Sequence, residues 1–306
     1  MHIGLVKLAT LGMTALTLSA CVIITPDIKV EREIETHVEK HATSTPKNII
    51  MIVADGMGPA YTTAYRYYSD NPNTSQIEAT IFDQWHIGNA STYPASESGI
   101  VTDSAASATA LAAGIKSYNG AIGVDVNRQP VTSVMHRAKV KGMKTGLAVT
   151  SQIVHATPAA YVAHNESRKN YNAIADSFFD DRINGQHKVD VMLGGGTDYF
   201  IRDERNVSQL FIDQGYQYID SYAQLSTLNN DAGALGLFAP SGLPWALDDT
   251  DSSRLRSMAQ TATRLLDNDQ GYFLLLEASQ VDWAGHGRDI NSAMAEMQDL
   301  HTMLEW

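Results

Sequence analysis

The chain has 306 residues, of which 44% are hydrophobic and 18% charged, with a formal net charge of −12 and a single cysteine. This length is ample for one α/β core, and the acidic balance argues against nucleic-acid binding. One cysteine excludes an internal disulfide.

The first residues have a separate character. Met1 to Lys7 is weakly basic, and Leu8 to Ala20 is apolar and small, ending in Leu18-Ser19-Ala20-Cys21. That stretch is too short to span a membrane and has the pattern of a secretory signal. The expected organisation is a signal peptide over 1–20, a tether over 21–46 and one domain over 47–306. In the tether Glu31, Glu33, Glu35 and Glu39 alternate with other residues, and Thr43 to Pro46 closes it, as in a solvated linker.

Asn48-Ile-Ile-Met-Ile-Val-Ala-Asp55-Gly-Met-Gly58 reads as a strand over 48–54 ending in a carboxylate and two glycines. An open α/β sheet presents ligand groups in this way, at the carboxyl edge of a strand. In Val101-Thr-Asp-Ser-Ala-Ala-Ser-Ala-Thr109, Ser104 begins a run of small residues. The run predicts a helix over about 104–113, stopped at Gly114. Ser104 then lies where free N–H groups and the helix dipole favour an alkoxide or a phosphate. The plainer alternative is an ordinary N-cap at Asp103 or Ser104.

A helix over about 131–141 and a strand over 145–150 follow, the strand running into a loop with His155 and Thr157. Next come His164-Asn-Glu-Ser-Arg168-Lys169, a helix over about 171–181, and a strand over 188–193 before Gly194-Gly195-Gly196. Residues 203–250 are irregular by pattern, with a strand at 216–219. A helix over about 252–267 leads to a strand over 271–277 ending at Glu277. Asp282 and His286 then stand in a loop relaxed by Gly285 and Gly287. Ile290, Met294, Met297, Leu300 and Leu304 mark one face of a last helix. This alternation predicts an α/β fold with a largely parallel sheet covered on both faces.

Singly, these polar residues have ordinary explanations: caps, turns, structural histidines and surface pairs. Together, three carboxylates, a histidine, a threonine and an arginine fall at or near strand ends around one serine helix. Oxygen donors from Asp55, Thr157 and Glu277 suit Mg²⁺, and Asp282 with His286 suits Zn²⁺. A metal near Ser104 would stabilise its alkoxide without a histidine base. Arg168 offers a planar fork for two phosphate oxygens.

At these residues the chain resembles the alkaline phosphatases, metal-dependent phosphomonoesterases of periplasms and cell surfaces. Val101 to Thr109 fits the family's active-site signature, Tyr118-Asn-Gly-Ala-Ile-Gly-Val-Asp125 continues it, and the resemblance spans about Lys47 to Leu300. It implies a three-layer α/β/α fold, a centre of two Zn²⁺ and one Mg²⁺, and small-molecule phosphate monoesters as substrates. It further implies that Ser104 becomes a phosphoserine and that Arg168 binds phosphate. Asp55, Thr157 and Glu277 are implied at magnesium, Asp55 and Ser104 at one zinc, and Asp282 and His286 at the other. His155 matches a position that is aspartate or histidine in the family, and the reading here is a group reaching Mg²⁺ through water. Homodimers are common in the family. Phosphodiesterases and sulfatases of the same superfamily are the alternative, and they often use threonine or a modified cysteine where Ser104 stands.

The chain departs from the family after His286. Family members supply an Asp-His pair and a late histidine beyond this point, and residues 287–306 hold no equivalent, His301 being read as a solvated helix position. A C-terminally truncated chain is expected, with an incomplete zinc site and, as the alternative function, an inactive metal-binding fragment. Leu18-Ser19-Ala20-Cys21 resembles the bacterial lipobox. It implies export, cleavage before Cys21 and lipidation there. With Val22 following, it implies outer-membrane attachment in a Gram-negative bacterium, a periplasmic form being the alternative.

Overall fold

The computed structural model describes residues 46–306. The expected signal peptide, the tether and the lipidation site at Cys21 lie outside the described residues. Six strands form one sheet: β1 (Ile49–Ala54), β2 (Lys144–Gln152), β5 (Val191–Gly195), β6 (Gln217–Ile219), β7 (Ala234–Leu237) and β8 (Tyr272–Ala278). A separate antiparallel hairpin joins β3 (Arg182–Ile183) to β4 (Gln186–His187). The sheet order is β1-β8-β2-β5-β7-β6, and every pairing within it is parallel.

The helices are α1 (Pro59–Tyr68), α2 (Ile81–Trp85), α3 (Ser104–Ala113), α4 (Val134–Val140), α5 (Ala156–Val162), α6 (Tyr171–Asp180), α7 (Thr197–Phe200), α8 (Val207–Asp213), α9 (Arg254–Leu266), α10 (Gln280–Gly287) and α11 (Ile290–Leu304). They cover both faces of the sheet. Alternate residues of β8 show why: Leu274, Leu276 and Ala278 join a core with α9 and α11, whereas Phe273 and Leu275 join one with α4, α5 and α6. All seven residues of β8 are buried, as expected for a parallel strand covered on both sides. Each large apolar side chain so placed is worth about 1.5–3 kcal/mol. This is the expected three-layer α/β/α arrangement.

The structure adds elements that the pattern left irregular. Within 203–250 it places α8 and β7 as well as the expected β6. β7, with the sequence Ala-Leu-Gly-Leu, lacks β-branched residues, yet all four positions are buried between β5 and β6. Its tertiary setting overrides its weak strand propensity.

Candidate active site and metal centre

The site lies at the carboxyl ends of β1, β8 and β2. Register fixes it: Val53 of β1 and Val149 of β2 both pair with Glu277 of β8, and the Asp55 N–H donates to the Ala278 carbonyl at 3.2 Å. Glu277 is thus held between two strands, with Asp55 one step beyond the end of β1. One ligand atom from each of Asp55, His155 and Glu277 can be chosen so that all lie within 4.8 Å of one another.

The electrostatics of this cluster call for a cation. Both Glu277 carboxylate oxygens are buried and have no hydrogen-bond partner. Burial first, then the Asp55 charge, push the Glu277 pKa to about 8; the Ser279 and Thr157 hydroxyls nearby oppose this only weakly, since neither reaches a carboxylate oxygen in hydrogen-bond geometry. Burial and Asp282 likewise raise Asp55 to about 6 against the pull of Ser104 and Arg168. Asp282 is raised by burial, with His286 and Arg168 opposing. Carboxylates that repel one another in a dry site are stabilised when a divalent ion supplies the missing charge, so these residues fit a hard cation.

The serine is where the small-residue run puts it. Asp103 caps α3, its Oδ1 accepting from the Ala106 N–H at 2.9 Å, and Gly114 ends the helix in a left-handed conformation. Such a cap is worth about 1 kcal/mol. The alanines of α3 pack against α5, and Ser104 at the first turn donates to Asp55, at 3.0 Å from Oδ2 and 3.3 Å from Oδ1. Asp103 has a second task, since its Oδ2 holds Arg168 Nη1 at 3.1 Å.

The other fork of Arg168 meets His155, with Nη2 3.0 Å from Nε2. A guanidinium only donates, so Nε2 accepts and the neutral ring carries its proton on Nδ1. That Nδ1 is buried without a partner. Burial, then Arg168, lower the His155 pKa to about 3, so the ring is neutral. The Trp283 ring stands edge-on to it at 5.4 Å between centroids.

Three expectations need correction. Thr157 lies in α5, with His155 at its N-cap, rather than in a loop. Asp282 and His286 are on a helix, α10, rather than in a loop. The four-residue spacing therefore puts both on one face, with His286 Nε2 3.4 Å from Asp282 Oδ2. Gly285 belongs inside this helix because a Cβ there would stand 1.9 Å from the Tyr61 hydroxyl oxygen. Gly56 likewise lets the chain pass Asp282, whose Oδ1 would lie 2.7 Å from a Cβ. His301 is not a solvated group: it packs between Tyr65 and Phe82, its Nδ1 buried without a partner.

The structure therefore brings together Asp55, Asp103, Ser104, His155, Thr157, Arg168, Glu277, Asp282 and His286. Thr157 is buried at the start of α5 beside Glu277. Sequence reading missed Tyr61 and Trp283, and also the support beneath α10. There the fully buried Arg254 donates to Gln280 Oε1 at 2.9 Å, to Glu296 at 2.7 Å and to Asp299 at 3.1 Å. A buried charge announces itself in sequence only through its partners, and Gln280, Glu296 and Asp299 lie 26 to 45 positions away.

The family model described as alkaline phosphatase matches residues 46–305. Alkaline phosphatase 3 of Bacillus subtilis is 50% identical over 256 residues, which cover 83% of this chain and 55% of that protein. Alkaline phosphatase 4 of the same organism is 48% identical, over 83% of this chain and 56% of its own length. The chain thus spans about half the length of these relatives. Among solved structures, the cold-active enzyme of a psychrophilic Shewanella matches with a TM-score of 0.79 and 54% identity, over 84% of this chain and 63% of that one. A variant of alkaline phosphatase from the Antarctic bacterium TAB5, solved with Mg bound in its M3 site, matches with a TM-score of 0.74, 28% identity and coverage of 85% and 72%. With the match running through the serine helix, both ends of the carboxylate cluster and α10, the chain belongs to the alkaline phosphatase family.

Proposed function

We propose that the protein carrying this chain hydrolyses phosphate monoesters by double displacement through Ser104. The observation that carries this reading is the Ser104 hydroxyl, set at the start of α3 and bonded to Asp55 at the mouth of a buried carboxylate cluster. Asp55 accepts from the hydroxyl of the first residue of α3, and at that helix terminus the free backbone N–H groups favour incoming anionic oxygens. Oγ forms a bond to phosphorus as the alcohol oxygen of the ester leaves in line. Water then breaks the phosphoserine and restores the hydroxyl. Arg168 binds two phosphate oxygens with the fork that Asp103 and His155 hold in plane.

Asp55, Thr157 and Glu277 would hold Mg²⁺, Asp55 with Ser104 one Zn²⁺, and Asp282 with His286 the other. Bound there, these ions would supply Lewis-acid stabilisation of the serine alkoxide and the departing oxygen. His155 fits a place one water away from Mg²⁺, because Arg168 occupies its Nε2 and the neutral ring offers an N–H at Nδ1 rather than a lone pair. Among the described residues the Asp282–His286 pair offers two donors where a catalytic zinc normally takes three from protein. We therefore propose that these residues encode the buried site fully and the outer zinc site in part. Export with a lipid anchor at Cys21 and homodimerisation belong to the same proposal.

The test is to trap a phosphoenzyme at low pH from an aryl phosphate and locate the label by peptide mapping. Label on Ser104, lost in Ser104→Ala, is the expected result. Label on any other residue overturns the reading. Zinc stoichiometry of the 306-residue chain should fall below that of a protein containing the relatives' full length, and equal zinc content and turnover would refute the partial site.

A further inference from the structure

We propose that Asn119 is a positioning residue that locks the nucleophile loop and the phosphate-binding arginine into one frame. The inference rests on the reading of Ser104 and Arg168 given above. Of the residues before Ser104, Thr102 and Asp103 are tied to α3 by side-chain bonds to Ser107 Oγ at 2.9 Å and the Ala106 N–H, but no comparable bond to α3 holds Ile100 or Val101. Segment 99–103 has no regular structure, and Ile100 and Val101 are 88% and 75% exposed, so apolar packing fixes neither.

Asn119 supplies what packing does not. Its Oδ1 accepts from the Asp103 N–H at 3.0 Å, and its Nδ2 donates to the Val101 carbonyl at 2.9 Å. One planar amide therefore clamps both ends of the stretch that delivers Asp103 and Ser104. The two facing groups, an N–H and a C=O, allow only this orientation of the amide. Its own N–H donates to Ser98 Oγ at 2.9 Å, which ties Asn119 to the start of the same loop.

The neighbours of Asn119 hold the arginine. The Arg168 N–H donates to the Gly120 carbonyl at 2.8 Å, and the Tyr118 hydroxyl donates to the Glu166 carbonyl at 2.9 Å. Arg128 braces this side, its Nε 3.3 Å from Glu166 and its guanidinium over the Tyr118 ring at 5.3 Å. Three consecutive residues thus grip two segments that are distant in sequence, and Asp103 closes the frame through its bond to Arg168. The side chain of Asn119 is exposed, so its removal leaves no cavity. What it contributes is the distance and angle between Ser104 Oγ and the guanidinium fork. Misplacement of a reacting group by about 1 Å costs on the order of a hundredfold in rate.

The experiment compares Asn119→Ala, Asn119→Asp and Ser104→Ala with the parent in the full-length protein, with active sites counted by phosphoenzyme titration. Asn119→Ala is expected to lower kcat/KM per titrated site by about tenfold to a hundredfold. It should also weaken inhibition by inorganic phosphate about tenfold while magnesium content stays at the parent level. Asn119→Asp keeps the acceptor for Asp103 but sets a carboxylate oxygen against the Val101 carbonyl, so it should lose activity as well. Parent-like turnover and phosphate affinity per titrated site in either variant overturn the proposal. A loss confined to melting temperature or to the number of titratable sites also overturns it, since that is the signature of a structural role alone. Ser104→Ala separates the two levels: if it turns over like the parent, the nucleophile reading fails first.

Discussion

Replacing Arg254 with methionine should destabilise the protein in a pH-dependent manner. Arg254 is fully buried and meets Asp249, Glu296 and Asp299, besides the Pro244 carbonyl and Gln280. Three carboxylates around one guanidinium leave an excess of negative charge even in the parent. Accordingly burial raises the Asp299 pKa from 3.8 to about 6 despite the attraction of Arg254. At 1.36 kcal/mol per pH unit, that shift corresponds to about 3 kcal/mol. The raised pKa fixes the sign: the stability is present below 3.8 and is lost as pH rises through about 6. Without the guanidinium the midpoints of Asp299 and Glu296 climb further, because Arg254 now lowers both.

Breaking one side of a buried pair costs about 3–5 kcal/mol, and that loss is expected near pH 8. Near pH 5 protonated carboxyls should leave only the lost hydrogen bonds, about 1–2 kcal/mol. Urea unfolding followed by tryptophan fluorescence at the two pH values measures both numbers. A triple variant, Arg254→Met with Glu296→Gln and Asp299→Asn, should recover most of the loss at pH 8. A deficit that is the same at both pH values, or below about 1 kcal/mol at pH 8, would refute the electrostatic account.

Glu277→Gln should unfold at a higher temperature than the parent at pH 9 in chelator, because a carboxyl raised to about 8 gives up its stability as pH rises through that value. Added Mg²⁺ should reverse the order, and superimposable melting curves in both buffers would contradict the assignment. Gly285→Ala should cost about 1–3 kcal/mol by overpacking against the Tyr61 hydroxyl. Tyr61→Phe should restore part of it, since it removes the 1.9 Å contact and leaves Cζ at 3.3 Å, close enough that the ring must shift slightly; additive losses in the double variant would show that the contact is not the cause. Cys21→Ala should release the exported protein from membranes on fractionation, and a variant as firmly bound as the parent would place the anchor elsewhere.

The parts of the site that were legible in sequence are those whose signal is local. A small-residue run with Asp103 before it and Gly114 after it specifies α3 and places Ser104 in its first turn. An apolar run ending at Asp55 or Glu277 specifies a parallel strand with a carboxylate at its tip. Misreadings arose where a local rule pointed away from the tertiary answer. Gly285 and Gly287 suggested a loop, yet Gly285 sits in α10 because Tyr61 needs the space of its missing side chain. The segment after β2 reads as a loop, yet Ala156–Val162 is helical, and Pro158 in its first turn removes only an N–H that a helix leaves free. The isolation of the Glu277 oxygens, the grip of Arg168 on His155, and the cage around Arg254 have no short-range signature. The first and last depend on strands and helices meeting from far apart in the chain, and the second on a turn of the backbone between α5 and α6.

The strand order has a consequence for the way the molecule is made. β8, the last strand described, lies between β1, the first, and β2. Until it inserts, Asp55 and His155 face a gap, and Glu277 has no neighbour on either side. Parallel pairings between segments so far apart form slowly, because loop-closure entropy is spent before the contacts exist. The cluster of Asp55, His155 and Glu277 therefore exists only where β8 has paired with both β1 and β2. A chain in which β8 is unpaired lacks the cluster, so a cation bound by these groups would favour the paired arrangement by mass action.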